Sequence, residues 1–443
     1  MLRKIFHSKN SQSTLGSVLS AGFGTLTFAL MARVIDKEPL GEWFFFISIF
    51  TLIDMARTGL LGNPFQKMYF DDDSDQHRDH VIGSTWKLTF AINGIVVLLG
   101  ALVLGLSYAL QWDVPYLHFA WWIPLAALAS QASNFGVWML QAKQEYLHLI
   151  WVRGGVQFLF FLGICGVAMD WFGVEDLIWL YAIAYFLPGL LVTFMGMNGL
   201  AKWVKGTWTK SKEIFAFGRY SFGTLLATNL LKSSDTFLIM PFLGPVAIAI
   251  YTVPERVLRI IDIPLQGFIA AYFPQLADAR LKGGDEELSE TMHRSMGFLF
   301  FLLLIPAALL WIFTPQLVLI FAGPDFEEAH GILRIFILYT LLIPFDRLNG
   351  MALDILNRPQ RNLTKVIIML SVNVIGDLIV LYLGGGLFEV ACVTIATFTA
   401  GILSGFWFLR DYLTIRPQNI LKLGWNVVVY NIKRKPNDST KGK

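Results

Sequence analysis

The hydrophobic positions of this chain come in long blocks, each closed by a short polar break. A helix needs about 20 mainly apolar residues to cross the hydrocarbon of a bilayer. Blocks of that length fall at 13–35, 39–61, 82–110, 117–139, 147–169, 176–199, 214–240, 245–273, 293–318, 328–353, 362–384 and 387–411. The pattern therefore predicts an all-α membrane protein of about twelve spans. The third and eighth blocks are long enough to tilt or to run past the bilayer. Pro315 and Gly323-Pro324 interrupt 312–327, which leaves room for a short interfacial piece. The polar breaks at 62–81 (with DDDSDQHRD), 200–213 and 274–292 (with KGGDEE) read as solvated loops at the membrane edge. Residues 416–432, RPQNILKLGWNVVVYNI, are apolar but too short to span. They predict an interfacial helix whose Lys422 and following KRK run meet anionic headgroups. The end, KPNDSTKGK, reads as disordered.

Two stretches echo each other. Thr27 to Asp54, TFALMARVIDKEPLGEWFFFISIFTLID, and Asp235 to Asp262, DTFLIMPFLGPVAIAIYTVPERVLRIID, align without a gap 208 positions apart. Trp43 falls on Tyr251, and Leu52-Ile53-Asp54 on Ile260-Ile261-Asp262. Each is an apolar run, a Pro/Gly kink, and a second apolar run with a carboxylate deep inside. The separation is about half the chain, as in transporters built from internal repeats.

Composition agrees: 55% of residues are hydrophobic and only 15% charged, with mean hydropathy +0.57. A soluble domain carries about 25% charged residues. Cys165 and Cys392 sit in apolar runs and read as small core residues. The start, MLRKIFHSKNSQST, has no nearby small-residue cleavage site and reads as a basic cytoplasmic tail. With that tail inside, 24 Lys and Arg fall on inner segments and the C-terminal tail, against Lys37 and Arg33 outside. The positive-inside rule then puts both termini in the cytoplasm.

The informative residues are charges within spans, because an uncompensated charge at the bilayer centre costs at least about 2.5–3.5 kcal/mol. The bases there are Arg57, Lys87, Arg153, Arg219, Lys232, Arg256, Arg259, Arg334 and Arg347. The acids are Asp54, Asp235, Glu255, Asp262, Asp346, Asp354 and Asp377. Asp54 and Arg57 share a helical face, as do Lys232 and Asp235, while Glu255, Arg259 and Asp262 form one stripe. Asp54–Arg57, Arg219, Arg334, Asp354 and Asp377 read first as interhelical bridges or snorkelling side chains. Lys87, Arg153, Lys232, Arg256 and Arg259 suggest a water-filled cavity lined with positive charge, with Arg57, Arg219 and Arg347 as further candidates. Structural bridges would balance, so the surplus of bases asks for an anion. Phosphate is the natural one, since Arg grips it bidentately. Asp54, Asp235, Glu255 and Asp262 are candidates for a coupling ion.

No G-x-x-x-x-G-K-[ST], metal-spaced His/Cys/carboxylate set or G-x-S-x-G motif occurs. The short outer loops make a membrane enzyme, such as a glycan polymerase or ligase, the weaker reading. No cofactor, metal or nucleic acid is expected.

At this point a resemblance takes hold. Asp235-to-Glu255, DTFLIMPFLGPVAIAIYTVPE, resembles the seventh-to-eighth-span signature of the polysaccharide-export branch of the MOP flippase superfamily. Phe321 to Pro344, FAGPDFEEAHGILRIFILYTLLIP, resembles that branch's outer loop and tenth span, and Arg358 to Arg361 with 387–400 its last two. The chain departs from the pattern at Ala249 and at Glu389-Val390, where a Gly is usual. The resemblance implies two six-helix bundles, 1–205 and 206–412, around a V-shaped cavity, followed by a basic tail at 413–443. It implies a bacterial inner-membrane flippase for a polyprenyl-diphosphate-linked oligosaccharide, serving O-antigen, capsule or exopolysaccharide synthesis by alternating access. Membrane lipids and a glycan polymerase or export machinery are the implied partners. A cation-coupled multidrug antiporter of the same superfamily is the alternative.

Overall fold

The computed structural model describes residues 9–111 and 116–433. Among the described residues every regular element is helical. Of the expected basic start, residues 1–8 lie outside them and 9–14 belong to α1, and the expected disordered end lies outside them. The helices are α1 (Lys9–Val34), α2 (Lys37–Arg57), α3 (Asn63–Met68), α4 (Asp75–Leu110), α5 (Phe119–Ala142), α6 (Tyr146–Ala168), α7 (Leu177–Phe194), α8 (Trp208–Ile312), α9 (Thr314–Phe321), α10 (Ala329–Thr340), α11 (Ile343–Ile355), α12 (Pro359–Tyr382), α13 (Leu387–Leu409) and α14 (Pro417–Lys433). A π-helical turn, Thr58–Gly62, joins α2 to α3.

Among the described residues seven helices are long and apolar enough to cross a membrane: the Lys37–Met68 run, α4, α6, α7 with the short turn before it, α8, α12 and α13. At 105 residues α8 is too long for one crossing, and it is broken at Gly244 and Gly284, both with positive φ. The Tyr251 hydroxyl donates to Asp235, sixteen positions earlier. Along a straight helix those residues would stand about 24 Å apart, so the chain folds back at Gly244. The equivalent break in the first echo falls at Ile35–Asp36, between α1 and α2. Adding the 208-residue offset to Asp36 gives Gly244. The two echoes therefore share a hairpin position as well as a pattern, with Trp43 and Tyr251 both 2% exposed.

Three expectations need correction. The break at 62–81 is mostly helical, with only 69–74 outside helices. Pro64 suits a first helical turn, where its missing N–H goes unneeded. Ser74 caps α4 by accepting the His77 N–H at 3.3 Å. In the short remaining loop, the Ser74 N–H bound to Asp72 pulls that carboxyl below its usual range. The break at 274–292 is helical throughout except at Gly284. The tenth block is not one helix: α10 ends at Thr340 and α11 starts at Ile343. Pro344 lacks an N–H and its ring clashes one turn back, which forces that break.

The chain divides after Leu230 into two compact units. Residues 208–230 go with the first unit because of close contacts to the α2–α3 junction. Asn63 donates to Ser221 at 2.7 Å, and Lys67 sits 4.2 Å above the Phe217 ring. A Cβ on Gly218 would collide with the Leu60 backbone. Small residues let helix backbones approach, which matters where lipid removes the hydrophobic drive between helices. The first unit also stacks Trp86 on Phe135, centroids 4.3 Å apart. In the second unit, Ser289, His293, Gly297 and Phe301 form a stripe four residues apart on the last piece of α8. Ser289 donates to the Thr414 carbonyl (2.8 Å), His293 accepts the Arg416 N–H (2.9 Å), Gly297 meets Gly424, and Phe301 meets Trp425. This stripe docks α14 and leaves Leu421, Lys422 and Trp425 exposed.

Candidate transport site

Arg57 is the hub of the first unit. It is 3% exposed. One terminal nitrogen donates to Asn93 Oδ1 (3.0 Å) and the Ala127 carbonyl (3.1 Å). The other donates to Asp54 Oδ1 (2.6 Å) and Ser130 Oγ (3.0 Å). All four terminal N–H groups are used, so this guanidinium serves α2, α4 and α5 rather than a ligand. A π turn follows Arg57 at once, and such turns recur at functional sites. Asn134 also donates to Asp54 Oδ1, at 2.8 Å.

Beside this hub lies a cavity of about 510 Å³. Asp54 and Arg153 both line it. Arg153 is exposed and makes no ion pair among the described residues. The other first-unit candidates lie elsewhere. Lys87 donates to the Gly206 carbonyl at 2.6 Å, and exposed Arg219 stacks on Tyr220, 4.9 Å from its centroid.

In the second unit the candidates gather. Exposed Lys232 lies within electrostatic range of Arg347 and Asp262. Glu255 interacts with Arg256, Arg259 and Asp235. Glu255, Arg259 and Arg347 are exposed, while Arg256 and Asp262 are half-buried. Asp262 accepts from Gln266 at 2.7 Å. Lys232, Arg259 and Arg347 make no ion pair among the described residues. In this group bases outnumber acids.

Within electrostatic range of Glu255 sits an acidic pair. Asp235 accepts from Tyr251 and Asn373, and lies in hydrogen-bonding contact with Asp377. Asp377 is fully buried, and no N–H or O–H donor of the described residues reaches either of its oxygens. Ser234 donates to Asn373. Two carboxyl groups in contact need a shared proton or a cation between them. Acids, Asn and Tyr are oxygen ligands suited to a small hard cation. No group of three or more His, Cys, Asp or Glu with metal-binding geometry occurs among the described residues.

Comparison with known proteins places this architecture. Residues 9–280 match the polysaccharide biosynthesis protein family, and residues 221–379 match MatE. The chain belongs to the polysaccharide biosynthesis protein family. It is a multi-pass membrane protein of the MOP flippase superfamily, in the polysaccharide-export branch. The probable low-salt glycan biosynthesis flippase Agl15 of Haloferax volcanii is 22% identical over 94% of this chain and 85% of its own. Two solved folds superpose at a TM-score of 0.69: the lipid II flippase MurJ in an inward closed conformation, and an inward-facing multidrug resistance MATE transporter of the MOP superfamily. The first is 14% identical and covers 96% of this chain and 93% of its own; the second is 13% identical and covers 94% and 96%.

Within this family member, several residues at the site escaped the sequence reading. Asp377 reads from sequence as a structural bridge but makes no ion pair among the described residues, and Asn134 and Asn373 carry no signal of their own because amides are common in polar spans. Lys365 falls by position among the inner-side basic residues, yet it is 2% exposed and pairs with Asp346 at 2.6 Å. A spacing signal existed for Asn373 and Asp377, which lie four apart on one face of α12.

Proposed function

We propose that this chain is an inner-membrane flippase of bacteria. It moves a polyprenyl-diphosphate-linked oligosaccharide from the cytoplasmic to the outer leaflet, with both termini cytoplasmic. The product feeds surface polysaccharide synthesis, where a glycan polymerase or export machinery is the expected partner. The observation that carries the reading is the second-unit cluster in which Lys232, Arg259 and Arg347 are exposed and lack ion-pair partners among the described residues. Such cations are matched to a diphosphate, which brings its own negative charge and accepts bidentate hydrogen bonds. The Asp235–Asp377 pair is the place for a coupling proton or cation, since its occupancy changes the charge beside Glu255, which in turn interacts with Arg256 and Arg259. Glycan-flippase and lipid II flippase relatives support the substrate class.

The test is a proteoliposome assay with a fluorescent polyprenyl-diphosphate disaccharide, scoring its protection from a membrane-impermeant quencher. Wild type should equilibrate the lipid across leaflets, and the triple variant K232A/R259A/R347A should slow this by about 100-fold or more, as for loss of several charged hydrogen bonds. No flipping by wild type would sink the proposal. The MatE match over 221–379 favours a second reading, a cation-coupled drug antiporter. Transport of ethidium by the same vesicles, with no movement of the lipid, would select it.

A further inference from the structure

The first-unit cavity differs in chemistry from the second-unit charge cluster. Its lining holds one base, Arg153, and one acid, Asp54, but five carboxamides: Asn63, Gln66, Asn134, Gln141 and Gln157. The way these amides are tied decides what they offer. Asn134 donates to the Asp54 carboxylate, which can only accept, so the Asn134 carbonyl is left open. Asn63 donates to Ser221 and Gln66 donates to Gln141 at 3.0 Å, which leaves two more carbonyl oxygens open. Asp54 uses one oxygen for both Arg57 and Asn134, and the other is open. Gln141 spends its carbonyl on Gln66 and keeps its own N–H groups, so the lining offers neutral donors beside the open carbonyls of Asn63, Gln66 and Asn134.

A wall of neutral acceptors and neutral donors suits a group that both donates and accepts, which phosphate does not. A sugar presents such a group, a hydroxyl, on nearly every carbon. An ammonium also donates, but Asp54 is already neutralised by Arg57 and the lining carries Arg153 besides, so the wall holds no net negative charge for a cation. At about 510 Å³ the space is within the range of small-molecule sites and exceeds what ordered water needs. We infer that the first-unit cavity is a sugar subsite that reads the hydroxyl groups of uncharged sugar residues through Asn63, Gln66, Asn134, Gln141 and Gln157, with Arg153 as its single hold on an anionic group. This rests on the flippase reading above and deepens it by assigning glycan recognition to the first unit. The specificity-determining contacts are then amides, so neutral glycans are preferred over acidic ones.

The experiment uses the purified full chain in detergent, with Trp138 of the cavity lining contributing to an intrinsic-fluorescence titration. The probes are undecaprenyl diphosphate and the same lipid bearing a neutral disaccharide. Wild type should bind the glycosylated lipid about 10-fold tighter or more, the scale of a few neutral hydrogen bonds. Gln66→Leu/Gln141→Leu should remove most of that gain and leave the bare lipid within about twofold. Gln157→Leu breaks no hydrogen bond among the described residues and should lower the gain about three- to tenfold, which keeps the test valid if the double variant fails to fold. Arg153→Gln should weaken both lipids by the same factor. A wild type that binds the bare lipid but gains nothing from the sugar overturns the subsite and leaves the flippase reading standing. Failure to bind either lipid overturns both. Amide variants that weaken both lipids equally, or that lose affinity for tetraphenylphosphonium instead, also overturn the subsite.

Discussion

The two units each bury a polar centre, and the two centres are built in opposite ways. In the first, one guanidinium sits among one carboxylate and three neutral acceptors, with every terminal N–H satisfied. In the second, two carboxyl groups touch, served by a phenol and an amide, with no ion pair to Lys or Arg among the described residues. The first centre is complete as it stands. The second is complete only when something positive, a proton or a cation, is added. An internal repeat thus gave two hairpins of one design, and the charges placed on them diverged. Asp54 has Arg57 three residues on. Its counterpart Asp262 has buried Leu265 there and bonds Gln266 instead.

The sharpest way to break the comparison is to remove the base from the complete centre. Arg57→Leu strands Asp54 and leaves Asn93 and Ser130 without their donor. Breaking a buried pair from one side destabilises by about 3–5 kcal/mol. The expected outcome is a large drop in the detergent-solubilised melting temperature and poor accumulation in the membrane. A variant that melts like wild type would show that the hub does not hold α2, α4 and α5 together.

The acidic centre should respond in the opposite sense. Asp377→Asn places an amide donor beside Asp235 and removes the need for a shared proton or ion. Stability should hold or rise, while dependence of transport on a proton or sodium gradient should disappear. Measuring lipid flipping in proteoliposomes with and without each gradient checks this. Retained gradient dependence would show that coupling runs through another group.

These two centres also mark how much could be read from sequence. The hydrophobic blocks fixed the helical class, because apolar length is a local property. The hairpin equivalence was visible because Pro and Gly punctuate both echoes. The charged stretches 62–81 and 274–292 read as loops because charge marks solvent, whereas charged residues form helix well where Ser74 or a lone Gly284 sets the boundaries. Charged positions within spans stand out in the sequence because each is costly in lipid, but their partners are not legible there. Arg57 meets Asn93, Ala127 and Ser130 across gaps of 36 to 73 residues, and Asp235 meets Asp377 across a longer one. Pairings at that range follow from tertiary packing and leave no local trace. For the same reason the base surplus looked uniform from sequence, although the first-unit cavity is balanced and rich in amides.

A milder change sharpens the contrast within the acidic centre. Tyr251→Phe removes the hydroxyl that donates to Asp235 while keeping the ring against Phe336, 5.3 Å away. Loss of one donor to a buried charged or proton-sharing acceptor costs about 1–3 kcal/mol. The melting temperature should fall, and Asp377→Asn in the same chain should restore part of it, because the new amide replaces the lost donor. Additive losses would separate Tyr251 from the pair.

The smallest effect belongs to the position where the repeat and its first copy part company. Asp262 occupies the place of Asp54, but it is half-buried and bonded to an exposed Gln266 on the same helix. Gln266→Leu removes that donor, yet solvent and the nearby Lys232 can still serve the carboxylate. Surface changes of this kind usually stay within about 0.5 kcal/mol. The melting temperature should therefore barely move, against the large drop for Arg57→Leu at the equivalent carboxylate. Diphosphate-lipid affinity is the finer readout. Freed from Gln266, Asp262 draws Lys232 toward itself and away from a bound anion, so binding should weaken by about two- to threefold, the size of a partly exposed ion pair. Tighter binding would mean that Gln266 holds Asp262 toward the cations, and that the carboxylate competes with substrate in the unaltered chain.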